Sequence, residues 1–347
     1  MDLDFSEDEI SRYSRHILLA EIGGTGQARL RAARVLVVGA GGLGCPLALY
    51  LAAAGVGTVG LVDDDRVELS NLQRQIAHGM ASLGRPKVES AAAAIHALNP
   101  DTVVRAHDVR LDAGNVLALV EDYDVVCDGT DNFDTRFLLA DACVLARRTL
   151  VSAAVLRFEG QLSTFKPHAD PDGPCYRCLH PVPPPPGLVP ACSEAGVMGA
   201  VTGVMGTLQA TEAVKEIVGI GEGLSGRLLV WDALAVRFRT VRLRRDPDCA
   251  LCGPNATIRS LSAHVGAAHA GAMPVCDAPG DGLAPGPGAA AGSGDAPGSS
   301  PGSMATRSGT ADDRQAESAL VAGPVPEAGG GAGLSGLHGR AGGVGAL

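Results

Sequence analysis

Three groups of residues in this chain have the types and spacing to do chemistry. The first runs through GAGGLG (residues 39–44), DDDRVELSNLQRQ (63–75) and GRPK (84–87). Gly39, Gly41, Gly42 and Gly44 follow an apolar run, so they permit a tight turn and close backbone approach to a phosphate. A helix opening behind them adds partial positive charge. That motif alone suits a dinucleotide site equally well. Asp63 lies 19 residues past Gly44 at a strand end, where an acid for a ribose hydroxyl belongs, with Asp65 beside it. The acids at 63–65 also suit a solvated turn. Asn71, Arg74, Gln75 and Lys87 then supply polar and cationic groups for a triphosphate. Hydride transfer has no use for them, whereas attack on the α-phosphate of ATP does, because negative charge builds on that phosphate and on the departing pyrophosphate. Lysine is scarce here: Lys87, Lys166 and Lys215 are the only ones in 347 residues. The plainer alternative makes Arg74 and Lys87 surface charges. Asp131 opens DNFDTR beyond a fourth strand, where a carboxylate can hold Mg²⁺ near phosphates or simply cap a helix.

The second group is a pair of CxxC motifs, Cys175/Cys178 and Cys249/Cys252, with 70 residues between them. Four thiolates in two hairpin-like turns suit a tetrahedral Zn²⁺ with no open position, so a structural ion is expected. The third is Cys192, in PACSEAG before a long helix, where a thiol can have a lowered pKa and act as a nucleophile or remain an idle loop residue. Cys45, Cys127 and Cys143 lie in apolar contexts and are expected in the core.

The elements that must position these groups alternate. Strands are expected at residues 35–38, 58–62, 102–106, 125–127 and 150–153, separated by helices at 42–54, 86–98 and 132–147. An N-terminal helix or helix pair opens on the capping-box pattern at 6–9. This is an α/β, Rossmann-like, mostly parallel sheet with helices on both faces. A strand at 161–165, a long helix at 197–218 and a late pair of strands at 228–231 and 238–243, expected to be antiparallel, complete it.

Composition sets the boundaries. No Phe, Tyr or Trp follows Phe238, and from residue 261 Gly, Ala, Pro and Ser dominate. Such a segment buries too little to offset the entropy of ordering it. One domain over residues 1–258 and a disordered tail over 261–347 are therefore expected. A net charge of −10 argues against nucleic acid or an anionic membrane as the main partner. No secretory signal or spanning segment is read, which implies a cytoplasmic protein with reduced thiols.

Taken in order, RYSRH (12–16), GAGGLG, DDDRVELSNLQRQ, GRPK, DGTDNFDTR (128–136), both CxxC pairs and CSEAGVMG (192–199) resemble the HesA/MoeB/ThiF family, relatives of the ubiquitin-activating enzymes. The pattern is nearest its molybdopterin-synthase adenylyltransferase branch (MoeB), with the thiamine-pathway branch (ThiF) next. The resemblance covers about residues 10–253. It implies ATP- and Mg²⁺-dependent adenylation of the C-terminal glycine carboxylate of a small β-grasp sulfur carrier ending in Gly-Gly. It also implies a homodimer in which Arg15 reaches the partner's active site, and it matches Cys192 to a cysteine that attacks the adenylate in some members. Some relatives carry a C-terminal rhodanese domain. Residues 261–347 lack the apolar content for one, so a separate sulfur donor, a sulfurtransferase or a desulfurase, is expected. Two other readings compete: an NAD-dependent oxidoreductase built on the glycine motif, and a non-catalytic, zinc-stabilised dimeric scaffold.

Overall fold

A computed structural model describes residues 3–185 and 196–265. Cys192 and residues 266–347 lie outside the described residues, so the expectations placed on them stay expectations.

Ser6 caps helix α1 (Glu7–Ile17) in the expected box. Its Oγ accepts from the Glu9 N–H, and the Glu9 carboxylate accepts from the Ser6 N–H. Helix α2 (Gly23–Ala32) follows. The chain then alternates through β1 (Arg34–Val38), α3 (Gly44–Ala53), β2 (Thr58–Val62), α4 (Lys87–Leu98) and β3 (Val103–His107). Next come α5 (Val116–Glu121), β4 (Val125–Asp128), α6 (Phe133–Leu145) and β5 (Thr149–Leu156). Then β6 (Glu159–Phe165), the one-turn helix α7 (Tyr176–Leu179), the long α8 (Gly199–Val218), β7 (Arg227–Asp232) and β8 (Arg237–Arg242) complete the order.

All eight strands form one sheet, in the order β3-β2-β1-β4-β5-β6-β7-β8. The first five are parallel and the last three antiparallel. Successive side chains of a strand point to opposite faces, and both faces of β1 are covered. Val35 and Val37 join a cluster with Leu47 of α3, Ile95 of α4 and Met205 of α8. Leu36 and Val38 join another with Val120 of α5 and Phe137 of α6. Cys45, Cys127 and Cys143 are buried in these layers, as expected. The outer strand β8 is exposed along its length and carries Arg237, Arg239 and Arg242, charges that keep a free sheet edge from pairing indiscriminately. No helix among the described residues is long and apolar enough to cross a membrane.

Three details differ from the sequence reading. Helix α5 was not anticipated, because six residues are too few to show a helical period. The first CxxC lies on the single helical turn α7 rather than in a hairpin-like turn. The folded chain also continues past the expected boundary: Leu261 is buried, and a 3-10 turn at Ser262–His264 follows. The reason is local to α6. Asp141, fully buried, accepts a two-pronged bond from Arg177 (Nε 2.7 Å, Nη2 2.8 Å), and His264 Nε2 lies 2.8 Å from its Oδ2. Leu261 enters the Phe137 cluster beside it. A buried carboxylate needs such partners, and the segment just past residue 258 supplies one of them.

Leu261→Ala is therefore expected to lower the unfolding free energy by about 2–4 kcal/mol. Urea denaturation measures this; an unchanged midpoint would show that residues after 258 add nothing to the fold.

Candidate nucleotide site and cysteine cluster

In an open α/β sheet, ligands bind at the carboxyl ends of the strands where the strand order reverses. Here that point lies between β1 and β4. A cavity of about 320 Å³ sits there, and a second lobe of about 200 Å³ shares Gly39, Asp63, Asp65 and Asp131 with it. Together they fall in the size range of small-molecule sites, roughly 300–1,000 Å³.

The glycine turn makes the floor. Gly39 has φ +92°, a region that favours glycine, and a side chain there would meet the Gly129 carbonyl at 2.9 Å. Gly41 and Gly42 line the cavity. Gly44 does not. A Cβ on it would sit 1.7 Å from the Gly39 carbonyl, so it serves close packing of α3 against the turn.

Asp63 leaves the end of β2 and is built into the floor. Its Oδ2 accepts from the Ala40 N–H at 2.7 Å and its Oδ1 from the Asp65 N–H at 2.9 Å. Burial pushes its carboxyl above the usual range, against the pull of the nearby Lys87 ammonium. Lys87, at the first position of α4, is buried, and its Nζ pairs with Asp65 Oδ2 at 2.6 Å. The segment between them turns through a 3-10 helix at Leu69–Asn71. Asn71 is buried with its Oδ1 on the Glu68 N–H, and Arg74 Nη1 donates to the Ser70 carbonyl. Both residues line the cavity. So does Gln75, whose buried Oε1 has no hydrogen-bond partner among the described residues. An unsatisfied amide on a cavity wall is a group that a ligand or its water can complete.

Asp131 is exposed on the rim common to both lobes. Asn132 caps α6 by accepting from the Thr135 N–H, so the capping role does not fall to Asp131. Arg15 is exposed on α1 and lines neither lobe. Arg136 and Thr202 line the first lobe and were not singled out from the sequence as site residues. Arg136 lay inside a quoted motif. Thr202 sits on α8, and nothing local marked it.

The electrostatics follow from the elements. Leu43 precedes α3, Lys87 opens α4, Asp131 precedes the cap of α6, and Val197 and Thr202 flank the start of α8; all line the first lobe. Each helix N-terminus carries unpaired N–H groups and about half a positive charge. Four of them, with Arg74, Lys87 and Arg136, set positive potential against the carboxylates of Asp63, Asp65, Glu68 and Asp131 that line the same lobe, a mixture that suits a polyanion accompanied by a divalent cation.

The four CxxC cysteines converge away from this cavity, with their Sγ atoms all within 4.8 Å of one another. Cys175 Sγ lies 3.8 Å from Cys178 and 3.5 Å from Cys249, and Cys178 lies 3.5 Å from Cys252. Four thiolates about a tetrahedral Zn²⁺ at ~2.3 Å would stand roughly 3.8 Å apart. The cluster therefore has the spacing and the soft donors for a metal.

Known proteins resemble this chain in both sequence and fold. Residues 13–251 match the ThiF family. The bovine (Bos taurus) protein named adenylyltransferase and sulfurtransferase MOCS3 is 56% identical over 257 residues, which are 74% of this chain and 56% of that protein. A Mycobacterium tuberculosis protein named probable adenylyltransferase/sulfurtransferase MoeZ is 54% identical over 245 residues, 70% of this chain and 62% of that one. The chain thus spans little more than half the length of these two. The SAMP-activating enzyme E1 of Haloferax volcanii is 51% identical over 253 residues, 73% of this chain and 92% of that protein. Among solved structures, E. coli MccB with ATP superposes with a TM-score of 0.61 at 22% identity, covering 72% of this chain and 75% of that one. At that identity the likeness concerns the fold. A family match across most of the described chain, with relatives above 50% identity, leaves one assignment: the chain belongs to the ThiF family.

Proposed function

We propose that this chain is a nucleotidyltransferase that uses ATP and Mg²⁺ to adenylate the C-terminal glycine carboxylate of a small β-grasp sulfur carrier ending in Gly-Gly. The observation that carries the reading is one cavity in which Asp63, Arg74 and Lys87 face a space ringed by four helix N-termini. The names of the relatives, adenylyltransferases and an activating enzyme, support it.

The second lobe, where Val38, Val62, Val109 and Leu111 stand among polar residues such as Asp64, Asn132 and Thr135, suits the adenine base, with apolar contact for its faces and polar groups for its edge. Asp63, between the lobes, takes the ribose hydroxyls. Gly41 and Gly42 let the backbone lie along the phosphates, and Asn71, Arg74, Gln75 and Lys87 hold them. To do so, Lys87 exchanges its contact with Asp65 for phosphate oxygens. Asp131 on the rim is the oxygen donor for Mg²⁺, which when bound neutralises charge on the phosphates.

The nucleophile, a terminal carboxylate, is already ionised at neutral pH, so no general base is needed. One of its oxygens bonds to the α-phosphorus as the bond to the bridging oxygen of pyrophosphate breaks. The products are acyl-adenylate and pyrophosphate. The protein contributes orientation and stabilisation of developing negative charge. Arg15 is proposed to complete the site of a second copy in a homodimer, a role compatible with its exposure on α1 and its absence from its own cavity. A separate sulfur donor then acts on the adenylate, with Cys192 as the thiol to be tested there. The four-cysteine cluster holds structural Zn²⁺. The pathway proposed is molybdenum cofactor synthesis, with a thiamine-type carrier as the second choice. The cationic and polar groups of the first lobe have no use in hydride transfer, and a mere scaffold does not need them either.

ATP–pyrophosphate exchange with Mg²⁺, each carrier added in turn, tests the reaction. Exchange is expected with one carrier and lost when its last glycine is removed. Lys87→Ala and Arg74→Ala should each lower kcat/KM at least ~100-fold. No exchange with any carrier, from folded and metal-loaded protein, would overturn the proposal.

The metal is tested separately. Elemental analysis should find one zinc per chain, absent in Cys249→Ser. That variant should also melt at least ~10 °C lower, because metal-binding energy is folding energy. Full zinc content in the variant would refute the four-cysteine site.

A further inference from the structure

Ala40, second residue of the glycine turn, is held from both ends. Asp63 Oδ2 accepts its N–H at 2.7 Å. Its carbonyl lies 3.0 Å from His78 Nε2 and 3.3 Å from Cys45 Sγ. The other ring nitrogen of His78, Nδ1, lies 3.0 Å from Ser90 Oγ on α4. Cys45, His78 and Ser90 are all buried, and none of them lines either lobe of the cavity.

This geometry decides the protonation. A carbonyl oxygen only accepts, so Nε2 must carry the proton. Nδ1 then has the lone pair, and the Ser90 hydroxyl donates to it. Burial, aided by the nearby Lys87 charge and opposed by the Ala40 carbonyl and Asp63, holds the imidazole below its ordinary pKa and therefore neutral. Burial also pushes the Cys45 thiol up to about 12, so it stays S–H. A neutral imidazole beside a buried thiol that lines neither lobe is not a nucleophilic pair for this site. What remains is a clamp. The trans peptide after Ala40 is planar, so a carbonyl drawn toward His78 turns the Gly41 N–H the opposite way. Gly41 is a cavity residue. Ser90 lies three positions after Lys87 on the same helix, so the ring joins the glycine turn to the element that carries the buried lysine.

We infer that His78, as the neutral Nε2–H tautomer, is a positioning residue for nucleotide binding: it sets the Ala40–Gly41 peptide and ties the phosphate turn to α4 through Ser90. This deepens the preceding proposal and rests on its nucleotide reading. It does not rest on the carrier.

The test measures the affinity of the full-length, zinc-loaded protein for Mg²⁺ with a non-hydrolysable ATP analogue by calorimetry, with no carrier present. His78→Leu is expected to weaken binding about tenfold, the worth of one buried hydrogen bond. In His78→Gln, the amide nitrogen can stand where Nε2 stood, and binding should return to within about threefold of wild type. Ser90→Ala should lose about threefold. Nitrogen NMR of the unaltered protein at neutral pH should show His78 protonated on Nε2 alone; a proton on Nδ1 instead would overturn the clamp whether or not any variant folds. Unchanged affinity in His78→Leu with a lowered Tm would reduce the residue to a structural one. Equal losses in the Gln and Leu variants would remove the donor role. If the wild type binds no analogue, the nucleotide reading and the clamp fall together. If it binds and shows the His78 effect yet exchanges pyrophosphate with no carrier, the clamp stands and adenylation fails.

Discussion

The close approach of backbone to backbone where β1 meets β4 is the constraint on which the rest depends. Gly39, Gly44 and Gly129 stack so tightly that a Cβ on Gly44 would lie 1.7 Å from the Gly39 carbonyl, and one on Gly129 would lie 3.2 Å from the Gly44 nitrogen. Only with those side chains absent can α3 start directly above the strand ends. The same economy repeats outward. Gly42 faces Thr202 of α8, where a Cβ would meet the side chain at 3.0 Å, and a Cβ on Gly206 would lie 2.4 Å from the Leu43 carbonyl. Small residues thus bring the starts of α3 and α8 to one point. The dipoles of those helices then act on one volume rather than on separate patches of surface.

Polar groups hold this arrangement where apolar packing cannot set direction. Gln209 of α8, fully buried, donates its amide to the carbonyls of Asp128 and Val151 and so ties the end of β4 to the adjoining part of β5. Asp128 in turn accepts from Thr130 and Ser152 and lies 3.8 Å from Arg136. On the far side of the sheet, Asp141 of α6 binds Arg177, which stands between the two cysteines of the first CxxC. The cysteine cluster therefore does more than close a loop. It joins the segment after β6 to the segment after β8, and through Arg177 it fixes α6, whose N-terminus faces the cavity. Buried polar contacts of this kind add little net stability but discriminate strongly between arrangements.

Much of this was legible in advance, for identifiable reasons. Four of the five parallel strands, β1, β2, β4 and β5, show as short apolar runs, because a strand covered on both faces has no polar side to display, whereas the outer strand β3 is largely exposed and carries Arg105 and His107. Ser6 and Glu9 announce α1 through a bond that spans only three residues. Lys87 stands out by residue type in a chain with three lysines, and Asp63 and Arg74 by their short spacing from the glycine turn. Other features left no local signal. The six residues of α5 and the four of α7 are too short for a period to register. Leu261 and His264 sit at the edge of a Gly- and Ala-rich run whose average composition hides them. Gly44 reads as a phosphate glycine, yet its neighbours are carbonyls of the fold.

Residue chemistry in order along the chain is therefore sufficient for the α/β class, the family and many of the polar cavity groups, though not Arg136 or Thr202, because each depends on types and short spacings. The division of labour within that inventory is tertiary. Whether a glycine faces ligand or backbone, whether a histidine titrates or clamps, and which of two adjacent residues caps a helix depend on what distant elements place against them. His78 meets Ala40 across 38 positions, and Arg177 meets Asp141 across 36. Such contacts form only when the sheet has brought strand ends and helix starts together, so no window of sequence contains them.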